Sequence, residues 1–213
     1  MEERRVSEAV IRRLPKYYRH LMTLQKEGVE RISSGKLAEQ MRLNASQVRQ
    51  DFNCFGGFGQ QGYGYNVKYL LEEIRKILSL DRPYKAVVVG AGNIGTALAN
   101  FEGFEKENIS VEALFDIKPE LIGQQVNGKP ILHTDSLETF IAENDISIGV
   151  IAARRSAAQS IAKRMHDAGV KGIWNFAPTD VMVEGIPVEN MHLTDSLICL
   201  CFKMSHLYAD EGD

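Results

Sequence analysis

A helical period in the apolar positions predicts three helices in the first quarter of the chain. The first extends from Ser7, a candidate N-cap, to about residue 26. The second opens near Ser34 and ends at Met41, and the third begins at Asn44, where Gln47 three residues later suggests a capping box. Two short helices joined by a tight turn are typical of a helix-turn-helix motif.

The third helix has one apolar and one polar face. Val48, Phe52 and Phe55 fall at helical spacing and are expected in the core, and amide and guanidinium side chains fall opposite them. Such groups pair with base edges and phosphates when the second helix of this motif enters the major groove. The alternative is an ordinary solvated face. The candidate DNA-contacting residues on the two helices are Ser34, Lys36, Ser46, Gln47, Arg49, Gln50 and Asn53.

A glycine-rich segment, residues 55–65, follows the third helix. Its five glycines alternate with aromatic residues and two glutamines, which favours a hairpin of the winged-helix type over a flexible loop. Val67 to Leu78 then predict a further amphipathic helix. The candidate DNA-contacting residues of the hairpin are Gln60, Gln61, Gly62 and Tyr63, with the turn at Gln61-Gly62.

The apolar period changes at the polar break Leu80–Pro83. We therefore expect a winged-helix domain over residues 1–80, a Rossmann-like domain over 81–192 and a C-terminal dimerisation helix over 193–213. Residues 1–80 carry 14 Lys/Arg against 9 Asp/Glu, a balance of +5, whereas residues 81–213 carry 11 against 19, a balance of −8. A basic N-terminal part favours a nucleic-acid partner, although chance unevenness is the alternative.

The composition excludes several other classes of protein. With 44% hydrophobic and 25% charged residues, the chain is neither disordered nor fibrous. No apolar run is long enough to span a membrane, and the charged N-terminus has no signal-peptide core. Three cysteines form neither a disulfide framework nor a zinc ribbon, so we expect no metal and a reducing cytoplasm.

A Gly-x-Gly-x-x-Gly motif links a predicted strand, ending at Val89, to a predicted helix. In such a motif Gly90 would allow the tight turn, Gly92 the approach of a pyrophosphate, and Gly95 close packing of helix on strand. The helix N-terminus adds a partial positive charge. This context predicts a dinucleotide site.

Asp116 ends the next strand, 21 residues after Gly95, where an acid holds ribose hydroxyls and favours NAD over NADP. Later strands at 146–152 and 172–176, separated by a helix at 156–168, predict a doubly wound parallel sheet and thus an α/β fold. The candidate cofactor-binding residues are Gly90, Ala91, Gly92, Asn93, Ile94, Gly95, Asp116, Ile117, Lys118, Ala152, Ala153, Arg154, Asn175 and Phe176.

No catalytic set accompanies the dinucleotide motif. The five histidines are scattered without partner spacing, so we expect no enzyme. The alternatives are an NAD-dependent oxidoreductase with a fused helix-turn-helix and a repressor that responds to another nucleotide, such as coenzyme A. A last helix from about Thr194 packs on its own domain or on a partner subunit, and its apolar face comprises Leu193, Leu197, Leu200, Cys201, Met204 and Tyr208.

The combination of these motifs resembles the Rex family of bacterial redox-sensing repressors. The resemblance is carried by residues 46–52, the glycine-rich segment, the glycine motif and Lys171–Pro178, and it covers nearly the whole chain. It implies a homodimer with swapped C-terminal helices on an inverted-repeat operator, and release when NADH outcompetes NAD⁺. It also implies that Arg49 and Gln47 contact DNA.

The resemblance further assigns Arg19, Phe101, His192, Leu193 and Asp195 to the switch or the dimer. Some members have Tyr at the position of Phe101, Asp-Phe at His192-Leu193, and Pro after a small residue where this chain reads Ala152-Ala153-Arg154. An apolar pocket near Ile94, Phe101 and Phe176 would disfavour the oxidised nicotinamide, which is a cation, and Arg154 would disfavour it further.

Overall fold

The computed structural model describes residues 6–58 and 63–209. The chain divides into two compact units, Met1–Arg82 and Pro83–Asp213. This division lies within the break that the sequence indicates. The α/β fold class is confirmed by the elements of the two units.

Helices dominate the described part of the N-terminal unit. In chain order it contains α1 (Glu8–Lys26), β1 (Arg31–Ile32), α2 (Ser34–Met41), α3 (Ala45–Asn53), β2 (Tyr65–Asn66) and α4 (Val67–Ile77). The apolar stripes of all four helices meet in one core, where Tyr17, Leu37, Phe52 and Ile74 are fully buried. Arg42, in the left-handed conformation, ends α2 and turns the chain into α3.

The start of α3 differs from the predicted capping box. The Asn44 side chain caps the helix by accepting a hydrogen bond from the Ser46 N–H at 2.9 Å. The Gln47 amide does not return to the Asn44 backbone, because it donates instead to Asp51, one turn further along, at 3.0 Å. Ser7 also makes no side-chain cap, although its backbone carbonyl accepts from the N–H groups of Val10 and Ile11.

The glycine-rich segment forms no hairpin of its own within the described residues. Residues 55–58 are turn and irregular backbone, and Tyr65 pairs with Ile32 of β1 in an antiparallel ladder. The reason is packing: the Tyr65 ring is buried edge-on against Phe52, with ring centroids 5.1 Å apart. Gly64, with φ of +70°, lies directly over the Ile32 carbonyl. Gln60, Gln61, Gly62 and the predicted turn lie outside the described residues.

A buried carboxylate joins α1 to α3. Asp51 is 1% exposed and accepts hydrogen bonds from Arg13 Nε at 2.6 Å, Arg13 Nη2 at 2.8 Å and Tyr17 Oη at 2.8 Å. Burial alone would raise the pKa of Asp51, but hydrogen bonds from Arg13, Gln47 and Tyr17 hold it below its ordinary value. This cluster was not predicted from the sequence.

The C-terminal unit is built on a seven-stranded sheet, counted over the described residues. The strands are β3 (Tyr84–Val89), β4 (Ile109–Asp116), β5 (Gln125–Val126), β6 (Lys129–His133), β7 (Ile148–Ile151), β8 (Gly172–Asn175) and β9 (Val188–Asn190). Their order is β5-β6-β4-β3-β7-β8-β9, and the β5–β6 pair alone is antiparallel. The six parallel strands follow the Rossmann order, with the reversal between β3 and β7.

Helices cover both faces of this sheet, so the doubly wound prediction is confirmed. They are α5 (Asn93–Ala99), α6 (Gly103–Lys106), α7 (Leu137–Glu143) and α8 (Arg155–Asp167), with a 3₁₀ turn at Thr134–Ser136. A further helix, α9 (Leu193–Ala209), follows β9. Alternate residues of β3 enter two separate cores: Val87 packs with residues of α7 and α8, and Val88 packs with Ala99 of α5. Buried strands of this kind need apolar residues on both faces.

The last helix, α9, leaves its apolar residues uncovered. Every side chain from residue 193 to residue 206 is exposed. Leu197 and Leu200 lie on the predicted face, but Ile198 and Phe202 lie on the opposite side, so the helix is apolar on two sides. The side chain of Tyr208 is outside the described part. No helix among the described residues is both long and apolar enough to cross a membrane.

The Asp51 cluster predicts acid-sensitive stability. Because the pKa of Asp51 is lowered in the folded state, its contribution is complete above about pH 4 and is lost as pH falls further. We expect Asp51→Asn to lower the free energy of unfolding by about 3 kcal/mol at neutral pH, and to weaken its acid dependence. Urea titrations followed by circular dichroism measure both effects.

The control is Glu8→Gln, which breaks the exposed Arg12–Glu8 pair and should change little. The single tryptophan, Trp174, reports separately on the C-terminal unit. An Asp51→Asn protein as stable as the parent chain at pH 7 would contradict the prediction.

Candidate nucleotide and DNA sites

Two glycines of the motif are required by close backbone contacts. Gly90, with φ of +107°, is in a conformation that favours glycine, and a Cβ there would overlap the Ala152 carbonyl at the end of β7. A Cβ on Gly95 would overlap the Gly90 carbonyl. The strand, the turn and α5 therefore pack at a distance that excludes any side chain.

Gly92 differs, because a Cβ at this position would meet nothing within 4 Å. It is the N-cap of α5, and no described residue accepts a hydrogen bond from the N–H of Asn93 or Ile94. Unsatisfied N–H groups facing open space at a helix start suit an anion such as a pyrophosphate.

Asp116 connects the end of β4 to the glycine turn. Its Oδ2 accepts from the Ala91 N–H at 2.8 Å, and its Oδ1 accepts from the N–H groups of Ile117 at 2.8 Å and Lys118 at 3.0 Å. A carboxylate accepts about four hydrogen bonds, so one position is left for a hydroxyl. Ile117 and Lys118 themselves are exposed beside it.

The end of β7 lies beside the end of β3 in the sheet, and β8 is the next strand along. Ala152 donates its N–H to Val89 at 2.8 Å, and Ala152 and Ala153 are half-buried. Arg154 follows as the exposed N-cap of α8. The half-buried Phe176 packs edge-on against Trp174, with ring centroids 4.5 Å apart. The strand ends on either side of the sheet reversal thus lie together, which is where ligands bind in such sheets.

Asn175 was predicted to bind the cofactor, but the structure buries it. Its side chain is 0% exposed and leaves no surface for a ligand. Its Nδ2 donates to the Thr179 carbonyl at 2.7 Å and to Asn190 Oδ1 at 2.8 Å, and its Oδ1 accepts from the Ala177 N–H at 3.0 Å. A buried amide needs all of these partners, so Asn175 holds the loop after β8 in place.

A row of aromatic rings connects Phe101 to Phe176, two of the residues at which the sequence predicts an apolar pocket. Phe101 packs against Phe104, Phe104 against Trp174, and Trp174 against Phe176, with ring centroids 4.9, 5.9 and 4.5 Å apart. Phe101 and Ile94 are exposed. No group of three or more metal-ligating side chains occurs among the residues that the structure describes.

Most of the predicted DNA-contacting residues form an exposed face on α2 and α3. Lys36, Ser46, Arg49, Gln50 and Asn53 are exposed, and Ser34 is half-buried. Arg49 Nη1 donates to Ser34 Oγ at 3.2 Å, which joins the start of α2 to this face.

Two predicted contact residues have additional partners or exposure that the sequence did not indicate. Gln47 is half-buried, with its amide on Asp51. Tyr63 is 72% exposed, and its carbonyl accepts from Arg31 Nη1 at 3.4 Å.

The proposed switch and dimer residues are mostly exposed. Arg19 lies on the exposed side of α1, and its guanidinium has no hydrogen-bonding partner among the described residues. His192 Nε2 lies 2.8 Å from Asp180 Oδ1. Leu193 and Asp195 are exposed in the first turn of α9.

The cluster of Arg13, Tyr17 and Asp51 was not predicted from the sequence. Each falls inside a helical pattern, and Asp51 was assigned to neither the apolar nor the polar face. The available signal was its position: an acid three residues after Val48 and next to Phe52 lies on the buried side of the helix.

Comparison with known proteins now adds to this geometry. Residues 5–53 match the family model described as "Putative DNA-binding protein N-terminus", and residues 81–179 match the model for a CoA binding domain. The redox-sensing transcriptional repressor Rex of Clostridioides difficile (strain 630) is 52% identical over 200 residues, which cover 93% of this chain and 95% of the relative. The chain belongs to the Rex family of redox-sensing transcriptional repressors.

Other Rex proteins give the same result. The repressor of Clostridium botulinum (strain Alaska E43 / Type E3) is 48% identical over 95% of this chain and 97% of its own length. A crystal structure of RSP in complex with beta-NAD+ and operator DNA matches with a TM-score of 0.91 at 46% identity, covering 97% of this chain and 95% of that chain. RSP in complex with beta-NADH matches with a TM-score of 0.90 at 43% identity, covering 97% and 98%.

Membership of the Rex family confirms the resemblance and the expected function class. Its members are named as regulators of transcription, which agrees with the prediction of a repressor and not with the alternative of an oxidoreductase.

The glycine turn predicts opposite outcomes for two alanine substitutions. Gly95→Ala forces the Gly90 backbone away from α5. We therefore expect the free energy of unfolding to fall by about 3 kcal/mol and the melting temperature to fall by roughly 10 °C. Gly92→Ala enters open space and should melt within about 2 °C of the parent chain. Thermal melts followed by Trp174 fluorescence compare them, and equal melting temperatures would show that the close contact is dispensable.

Proposed function

We propose that this chain binds inverted-repeat operator DNA as a homodimer, represses transcription there, and leaves the DNA when NADH binds in place of NAD⁺. The observation that carries the proposal is that one chain combines an exposed helix-turn-helix face with an open glycine turn at a Rossmann sheet reversal. RSP, which is similar over nearly the whole chain, forms complexes with operator DNA, NAD+ and NADH.

The DNA-binding part of the proposal assigns α3 to the major groove. Ser46, Arg49, Gln50 and Asn53 are exposed on it, and Lys36 extends the face at the start of α2. These side chains and the first turn of α2 provide donors for phosphates and base edges. A DNA-binding repressor would act in the cytoplasm, the compartment expected from its cysteines.

The nucleotide-binding part assigns the pyrophosphate to the start of α5. The space over Gly92 and the unsatisfied N–H groups fit phosphate oxygens, and the free acceptor position of Asp116 fits a ribose hydroxyl. A carboxylate here would repel a 2′-phosphate, which favours NAD over NADP. Bound NADH supplies two phosphate charges and a neutral ring, and it acts as an effector.

Selectivity for NADH would follow from the charge of the nicotinamide. Phe101 and Phe176, at the two ends of the aromatic row, and Ile94 provide apolar surface, on which a neutral ring is favoured over a cation. Arg154 adds like charge against the cation. A ligand switches a protein only by its differential affinity for two states, and nearly complete switching needs about 5 kcal/mol.

The apolar residues on two sides of α9 support the proposed dimer. Leu197 and Leu200 on one side and Ile198 and Phe202 on the other are exposed in the single chain. A helix that is apolar all round is stable when it is buried. A second copy provides that cover if the two α9 helices are exchanged, and twofold symmetry matches an inverted repeat.

A second candidate effector is coenzyme A, because residues 81–179 match the CoA binding domain model. Asp116 beside the glycine turn favours NAD instead, since it is placed for a pair of ribose hydroxyls, and coenzyme A carries a phosphate on one of the two. Both ligands therefore belong in the test.

The deciding experiment is fluorescence anisotropy of a labelled Rex-type inverted-repeat duplex at fixed salt. We expect the chain to bind, and we expect NADH to release it at concentrations at which NAD⁺ and coenzyme A have no effect. Gly92→Ala, which keeps the fold, should weaken the NADH response at least tenfold because its methyl group occupies the phosphate space.

Each result of this titration has a definite meaning. Release by coenzyme A alone would replace the proposed effector, and binding unaffected by any nucleotide would remove the switch from the proposal. Absence of DNA binding would overturn the proposal as a whole.

The dimer is tested by charges placed on the exposed apolar side of α9. Leu197→Glu combined with Leu200→Glu should convert the dimer to a monomer at micromolar concentration. Burying two charges in the interface costs more free energy than the apolar contacts of α9 contribute. Sedimentation equilibrium measures the change. Lys163→Glu, at an exposed position on α8, is the matched charge control. A double variant that stays dimeric would exclude α9 from the interface.

A further inference from the structure

The Asp51 carboxylate has all of its hydrogen-bonding capacity in use. Oδ2 accepts from Arg13 Nε and Tyr17 Oη, and Oδ1 accepts from Arg13 Nη2 and Gln47 Nε2. A carboxylate offers about four acceptor positions, and here four donors occupy them. At 1% exposure, Asp51 does not reach solvent or DNA.

This arrangement fixes the orientation of the Gln47 amide. An ionised carboxylate accepts hydrogen bonds and donates none, so only the –NH₂ end of the amide can face it. Arg13 keeps Asp51 ionised, because its guanidinium holds the pKa of that carboxyl below the ordinary value despite burial. A flipped amide would set an oxygen against the carboxylate at about 3 Å, which is repulsive.

The other end of the amide is left unused by the protein. No described residue donates to Gln47 Oε1, and the side chain is half-buried on a helix whose neighbouring residues Ser46 and Gln50 are exposed. Gln50 and Asn53 have no comparable side-chain partner among the described residues, so their amides are free to rotate. Gln47 is the preorganised amide of this face.

We propose that Asp51 is a specificity-determining residue that never touches DNA: it holds Gln47 so that an oxygen acceptor faces the major groove. In this groove adenine and cytosine present amino donors, whereas guanine O6 and thymine O4 are acceptors. Gln47 therefore selects adenine or cytosine at one base of each half-site. This inference rests on the proposed function, because it assumes that α3 enters the major groove.

The test is selection from a pool of duplexes with randomised half-sites, using the full chain and sequencing of the bound fraction. The parent chain should show a preference of roughly tenfold for adenine or cytosine at one position per half-site. Gln47→Met, which keeps the length of the side chain without the amide, should abolish that preference and leave the other positions unchanged. Gln50→Met is the matched control and should leave the Gln47 position unchanged.

Asp51→Asn tests the positioning role. This variant should still bind the pool, but it should lose the base preference at the position that Gln47 reads. The reason is that a neutral amide can present either a donor or an acceptor to Gln47. In the double variant Gln47→Met with Asp51→Asn, that position should be no different from Gln47→Met alone. A merely structural role for Asp51 would instead weaken every position together.

The outcomes separate the two levels of the argument. A parent chain that enriches no sequence at all overturns the proposed function. A parent chain that enriches a sequence while Gln47→Met keeps the full pattern overturns this inference alone, as does a preference for guanine or thymine at the Gln47 position. If Asp51→Asn does not fold, the Gln47→Met and parent patterns still decide between these results.

Discussion

The C-terminal unit depends on three backbone segments that meet at Gly90 at a distance that excludes side chains. The end of β3 turns there under the carbonyl of Ala152, and α5 begins so close that Gly95 lies on the Gly90 carbonyl. This contact closes the sheet at its reversal and leaves the start of α5 facing open space at Gly92. The proposed anion site is thus a by-product of tight packing, and the neighbouring Asp116 is fixed by the same turn through Ala91.

In the N-terminal unit, the buried carboxylate of Asp51 holds two helices together. The short helices α2 and α3 are marginal on their own and gain stability from packing on α1 and α4. Apolar contacts such as Tyr17 on Phe52 hold α3 against α1. The directional bonds of Asp51 to Arg13 and Tyr17 add a buried polar contact between α1 and α3, and the same carboxylate fixes the Gln47 amide.

Sequence analysis predicted the helices and the Rossmann strands well, because their residues alternate with periods that local geometry imposes. Val87 to Gly95 is one example, in which strand, turn and helix all follow from residue type. It failed where a partner distant in sequence decides the outcome. Tyr65 pairs with Ile32, which lies more than thirty residues earlier in the chain. Gln47 bonds to Asp51 in place of a cap, and Asn175 is hydrogen-bonded to Asn190 and Thr179. None of these partners is visible in local periodicity.

The exposed apolar residues of α9 have a consequence for regulation in the cell. If two chains must combine to cover Ile198 and Leu200, the amount of folded regulator depends on the square of its concentration when the chain is scarce. Occupancy of a promoter would then fall faster than copy number, and a cell that dilutes the protein by growth would lose repression over a narrow range. The amount of protein and the redox state would thus act as two inputs to the same gene.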